Sequence, residues 1–184
     1  MKGRFLHFIA VCHRAVPTSV IVGLIAFLFL GAFISFIFKG YKKGIRWSGR
    51  ILLIDLIIWL LSLTVFFRPI LPERRINLTP FWNYRAIQAG NELLLTQSIM
   101  NVAAFVPLGF LLGYVFKKMK WWKVVLIGGT FSIVIEMLQF VLKRGFAEFD
   151  DVFHNILGFI IGYGLYVGIA RLIESVRKVR AEKA

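Results

Sequence analysis

A chain of 184 residues that is 59% hydrophobic, with a mean hydropathy of +0.77, has the composition of a multispanning membrane protein. Its 23 Lys and Arg against 9 Asp and Glu give a formal charge of +14. The cations stand in short segments between apolar runs, with no basic face interleaved with stacking aromatics, which excludes a nucleic-acid binder. The lone Cys12 excludes an internal disulfide framework and a Cys-rich metal site.

Residues 1–15 set Phe5, Phe8, Ile9 and Cys12 at helical spacing opposite Lys2, Arg4 and Arg14. That is the pattern of a short interfacial helix, although a frayed tail fits it nearly as well. Five apolar runs follow, at Val16 to Phe38, Ile51 to Phe67, Ser98 to Phe116, Trp122 to Leu142 and Val152 to Ala170. Each is long enough for a helix to cross the hydrocarbon core. The first is too long for a secretory h-region and lacks a small-residue cleavage site, so it is expected to remain in the mature protein. No fixed repeat and no Gly/Ser-rich or Pro-rich linker divides the spans. The expectation is therefore one all-α, polytopic transmembrane domain over 1–184, with a long loop at 68–97 and a basic, solvated helix end at 171–184.

Basic residues mark the cytoplasmic side of a membrane protein. Segments 39–50, 117–123 and 171–184 fall on one side of the five spans and hold 14 Lys and Arg, against 9 on the other. The count predicts an N-terminus outside, a C-terminus in the cytoplasm and an extracytoplasmic loop at 68–97.

With that topology the scattered polar residues gather at one end. Asn101 opens the third span, Glu136 and Gln139 close the fourth, and Arg144, Glu148, Asp150 and Asp151 fill the short loop before Asn155 in the fifth. Glu136 and Gln139 are three apart and Asp151 and Asn155 four apart, so each pair shares a helix face, and helices joined by a short loop pack antiparallel. Polar side chains within apolar spans raise the free energy of insertion, so such a cluster marks a candidate site. Gly158 with Gly162, Gly164 with Gly168, and Gly109 with Gly113 give small-xxx-small patterns for close helix contact. Pro107, in mid-span, removes one backbone hydrogen bond, which Asn101 or Gln139 is placed to repair.

Each element also has a structural reading. Glu136 and Gln139 suit interhelical hydrogen bonds to Asn101 or Asn155, and Arg144 suits a loop salt bridge to Asp150 or Asp151. Asn77, Pro80 and Phe81 suit a turn, in a loop long enough to fold back as a lid over the cluster. For chemistry, Glu136, Asp151 and His154 are the acid/base candidates, and Glu136, Asp150 and Asp151 the carboxylates that would suit a divalent cation. No zinc signature, nucleophile elbow or P-loop accompanies them, and no other cofactor is expected.

The string Asn101-Val-Ala-Ala-Phe105-Val-Pro107-Leu-Gly109, then Glu136-Met-Leu-Gln139, Arg144 with the acids Glu148, Asp150 and Asp151, and Asn155-Ile-Leu-Gly158 with Gly162, resembles the VanZ-like family of small membrane proteins. The upstream Ile76-Asn77-Leu78-Thr79-Pro80-Phe81 resembles that family's Asn-Leu-x-Pro-Phe element, and the resemblance covers about Leu52 to Gly168. The segment from Arg144 to Asn155 is one residue longer than the family pattern, with Ala147 in place of an acid, so either Glu148 or Asp150 stands for the usual carboxylate. The resemblance implies a bacterial cytoplasmic-membrane protein that lowers susceptibility to teicoplanin and related lipoglycopeptides. On that basis Asn77, Asn101, Glu136, Gln139, Arg144, Glu148, Asp150, Asp151 and Asn155 are the expected ligand-binding set. Their partner would be a membrane lipid, a lipid-linked cell-wall precursor or the lipoglycopeptide. A membrane-embedded enzyme acting on an envelope lipid or peptidoglycan precursor is the alternative, and a small transporter the weaker third.

Overall fold

The computed structural model describes residues 42–117 and 119–183, together with Gly23, Leu30 and Gly31. The interfacial segment at 1–15 and nearly all of the first expected span lie outside the described residues.

Among the described residues, four helices are long and apolar enough to cross a membrane. The first, α1 (Lys42–Leu61), runs into a π-helical turn at Ser62–Phe66. After a loop come strand β1 (Arg75–Asn77) and the short α2 (Trp82–Gln88). Helices α3 (Glu92–Val115) and α4 (Trp121–Leu142) come next, β2 (Phe146–Glu148) follows, and the last helix, α5 (Phe149–Glu182), packs against both α3 and α4. Helices α3, α4 and α5 are nearly uniform in hydrophobicity around their circumference, as expected when one side faces neighbours and the other faces lipid. Leu126, Met137 and Ile58 are each about 60% exposed, at 60%, 61% and 58%, a surface that only an apolar solvent satisfies. This is a membrane protein.

The helix boundaries differ from the expected spans in several places, and α1 begins at Lys42, nine residues before the expected Ile51. Helix α3 begins at Glu92, six residues before the expected Ser98, because Asn91 caps it: its Oδ1 accepts from the Leu94 amide at 3.2 Å. Helix α5, at 34 residues, is about 51 Å long and outruns the hydrocarbon core. Its last residues are exposed and basic, as the sequence implied.

The closest helix packing is between α3 and α5. Added side-chain atoms at Gly109, Gly158 and Gly162 would fall on backbone of the facing helix, namely Phe159 O, Val102 O and Val106 O. The glycines at 158 and 162 thus form the expected close-contact ridge, and Gly113 packs on the rings of Tyr163 and Tyr166. The second pattern on α5 is not used this way, since Gly168 has no atom within 4 Å of such a position. Around this contact, Phe105, Leu108, Phe159 and Tyr163 form the core with Leu56, Leu60 and Val65 of the first span. Pro107 sits inside α3 beside the ridge, but neither expected repair partner serves it. Asn101 bonds Asp151 and Gln139 bonds the π-turn.

The one departure from helix among the described residues is a two-stranded parallel ribbon, with Arg75 beside Phe146, Ile76 beside Ala147 and Asn77 beside Glu148. It closes one end of the bundle, where α1 and α4 finish and α3 and α5 begin.

Candidate functional site

At that end the loop after α1 is stitched to α4. The π-turn widens the helix and leaves carbonyls without their usual donors. Gln139 Nε2 donates to Thr64 O at 3.0 Å, and the Arg144 guanidinium donates through Nη1 to Phe66 O and, at 3.0 Å, to Arg68 O. Arg144 therefore does not make the expected loop salt bridge. It is spent on backbone carbonyls, because the chain leaving a helix end presents acceptors that need donors. Gly145 follows at φ 113, and a Cβ there would meet Arg68 Nη1 at 2.8 Å. A side chain at 145 would therefore push Arg68 aside.

The two adjacent acids at the start of α5 have separate jobs. Asp150, with no exposed surface, accepts from the Phe81 amide at 2.6 Å and the Asn83 amide at 2.8 Å. It is the N-terminal cap of α2, supplied from another helix. Asp151 points elsewhere and its Oδ1 accepts from Asn101 Nδ2 at 2.6 Å. Asn155 donates to Ser132 Oγ at 2.8 Å, which joins α5 to α4. Glu136 Oε2 accepts from the Glu148 amide at 3.0 Å and so holds the end of β2. The interhelical pairing expected of Glu136 and Gln139 with Asn101 or Asn155 is replaced by bonds to backbone. Asn77 accepts from the Thr79 amide at 3.0 Å in an Asx turn, and His154 Nε2 lies 3.1 Å from the Tyr84 hydroxyl.

The loop does fold back over this end. Phe81 packs edge-on against Tyr84, Phe149 and Phe153, and Trp82 Nε1 donates to Glu148 Oε2 at 3.2 Å. Beneath it opens a cavity of about 660 Å³, in the range of small-molecule sites. Arg68, Arg75, Trp82, Asn101, Glu148 and Asp151 give its wall polarity, and Leu93, Leu94 and Met100 make it partly apolar. Of the nine expected ligand-binding residues, the cavity brings together Asn101, Glu148 and Asp151. The other six hold the surrounding backbone and helices in place, and Glu136 lines a separate apolar groove of about 290 Å³.

The ribbon divides the two spaces. Side chains alternate along a strand, so Arg75, Phe146 and Glu148 belong to one face and Ile76 and Ala147 to the other. The first set lines the polar cavity; the second, with Leu78, Met137 and Phe140, lines the groove. Glu148 borders both. Burial, and then the nearby Asp151 charge, push its carboxyl up to about 7, against the pull of its hydrogen bonds from Trp82 and Asn83.

Among the described residues no three His, Cys, Asp or Glu side chains converge to hold a metal ion. Of the carboxylates suited to a cation, Asp150 has both oxygens engaged by amides and Glu136 faces the groove. Sequence reasoning missed Arg68, Arg75, Trp82 and Gln97, all on the cavity wall. Arg68 and Arg75 entered the sequence only as loop charges. Their place directly before the Ile76–Phe81 element and directly after an apolar run was the signal available.

The family resemblance is upheld by comparison with known proteins. Protein VanZ of Enterococcus faecium is 32% identical over 94 residues, which is 51% of this chain and 53% of that protein. The aligned part thus spans about half the length of the relative. No solved structure matches the chain. The family model VanZ/LLP1 matches residues 51–172, a stretch that contains the cavity, the ribbon and the glycine ridge, and the chain belongs to the VanZ/LLP1 family.

Proposed function

We propose that this protein is a non-enzymatic binding protein of the bacterial cytoplasmic membrane, which takes the polar head of an envelope amphiphile into the cavity beneath α2. The observation that supports this most is the cavity itself, in which charged and amide groups are interleaved with apolar side chains at the end of a lipid-facing bundle. Its volume of about 660 Å³ admits a lipid head group or the end of a lipid-linked cell-wall precursor, and not a whole lipoglycopeptide. The acids are held by donors, Asp151 by Asn101 and Glu148 by Trp82, which favours recognition over proton transfer. Capture of such an amphiphile would reduce susceptibility to teicoplanin-type antibiotics by altering what they meet at the outer surface.

Asp151→Asn keeps an acceptor for Asn101 and removes the charge. In cells with matched membrane levels of protein, it is expected to lower protection against teicoplanin to that of cells lacking the protein. Protection equal to the parent in both Asp151→Asn and Asp151→Ala would refute the site.

The cavity lies at the end of the bundle poorer in Lys and Arg, which supports an extracytoplasmic mouth. Alkaline phosphatase inserted after Arg144 should then be active, and a fluorescent protein fused after Ala184 should fold. The reverse pair of outcomes would invert the topology.

A further inference from the structure

The cavity wall carries two guanidiniums and two carboxylates, yet they are not equally free. Glu148 accepts from Trp82 and Asp151 from Asn101. Arg68 acts on Glu136 and Asp151 through its charge, but among the described residues neither Arg68 nor Arg75 has a side-chain hydrogen bond or ion pair. Arg68 is half-buried, and a guanidinium with five donors in such a place calls for acceptors. Among the described residues, these guanidinium donors are therefore left without a bonded acceptor, although carboxylates lie near them.

The backbone of both arginines is held in place. Arg144 fixes the Arg68 carbonyl, and Gly145 leaves the space its side chain occupies. Arg75 is set by the ribbon register, which turns it to the same face as Phe146 and Glu148. Planar guanidiniums on such a fixed backbone suit the paired oxygens of a phosphate better than a single point charge would.

We propose that Arg68 and Arg75 form a phosphate subsite, and that the amphiphile taken by the cavity carries a phosphate ester in its head group. This rests on the binding reading above and specifies its ligand class. Leu93 of the cavity's own wall, 53% exposed at the start of α3, stands beside Leu94 and Met100 and gives the lipid chain an apolar path out of the cavity while the head stays with the arginines.

The test uses the full chain in a neutral detergent, with bound lipid counted by native mass spectrometry. Four probes are compared: dioleoylphosphatidylglycerol, dioleoylglycerol, dioleoylglycerol hemisuccinate, which is anionic without phosphate, and inorganic phosphate as a competitor. Phosphatidylglycerol should bind best, and Arg68→Gln or Arg75→Gln should each weaken it about tenfold, as loss of a charge-assisted bond implies. Lys178→Gln, on the exposed end of α5, should change nothing. Equal binding of the hemisuccinate, or parental phosphatidylglycerol binding in the double arginine variant, would overturn the phosphate subsite. Inorganic phosphate that displaces the lipid at low excess would overturn the amphiphile and leave a soluble phosphate.

Gln97→Trp, which fills the cavity from an exposed position on α3, separates the two levels. If it removes all lipid while the arginine variants do not, the cavity reading stands and the phosphate subsite falls. If it removes none, both fall. A pH series adds an independent reading. Glu148 is faced by Asp150 and Asp151 of α5, Glu136 of α4, Trp82 and Asn83 of α2, Arg75 and Asn77 of β1 and Arg68 of the loop. With its carboxyl titrating at about 7, it is mostly neutral at lower pH and mostly anionic at higher pH. A phosphodiester keeps its charge throughout, so phosphatidylglycerol should bind more tightly as pH falls through that value, and Glu148→Gln should reduce the dependence. Tighter binding at high pH would count against the subsite.

Discussion

Gly162→Val is expected to prevent stable packing of the bundle. A Cβ at 162 falls onto Val106 O and lies 2.8 Å from Phe110 N, both backbone atoms of α3. Overpacking typically costs about 1–3 kcal/mol when neighbouring side chains can give way. Here the obstacle is main chain, one helix turn around Pro107, and valine adds two further methyl groups. The cost should therefore reach about 3 kcal/mol or more, a large part of an ordinary folding free energy. Gly168→Val is the matched control, since nothing lies within 4 Å of its Cβ position. Thermal unfolding followed by size-exclusion chromatography in detergent should show Gly162→Val roughly 6–12 °C below the parent, or absent from the membrane, with Gly168→Val near the parent. Equal midpoints for the two variants would mean that α3 and α5 do not pack through this ridge.

That contrast also shows what a sequence can and cannot disclose about this fold. Gly158, Gly162, Gly164 and Gly168 form two equivalent patterns in the sequence, and only three-dimensional packing shows that the first pair meets backbone and the second does not. The apolar runs were legible because a bilayer imposes length and composition on any crossing helix. The ribbon was not, because three residues per strand carry too short an alternation to stand out against the apolar background. Without the ribbon, the division between polar cavity and apolar groove could not be drawn.

The polar residues that the sequence gathered do lie at one end of the bundle, but the sequence could not assign roles among them. Asp150 and Asp151 are adjacent acids of the same type, yet a helix turns about 100° per residue, so one caps α2 and the other faces the cavity. Arg144 was the cation expected to serve the site, and it serves backbone carbonyls, while Arg68 and Arg75 occupy the wall. The pattern is physical. Helix ends and turns consume polar side chains for their unpaired backbone groups, and a sequence does not show which groups are consumed and which are left over.

Asp150→Ala is the second change expected to have a large effect, and it should act in a different way. The Asp150 carboxylate satisfies the Phe81 and Asn83 amides, and Phe81 is held at φ 58 in the left-handed region, a strained setting for a residue with a side chain. Alanine leaves both donors without a partner, at about 1–3 kcal/mol each where they are buried. Helix α2 has seven residues and cannot persist without such support. Its release would withdraw Trp82 from Glu148 and open the roof of the cavity. Asp150→Asn keeps one acceptor oxygen and should give a smaller effect of the same kind. Hydrogen exchange read by mass spectrometry should show faster exchange across residues 79–90 in Asp150→Ala, with α3, α4 and α5 still protected and lipid binding weakened. Unchanged protection of α2 would show that the cap is dispensable. The glycine ridge and the acidic cap thus separate two requirements: Gly162 holds the spans together, and Asp150 builds the roof of the site upon them, so a protein lacking the second should remain a folded bundle that has lost its ligand.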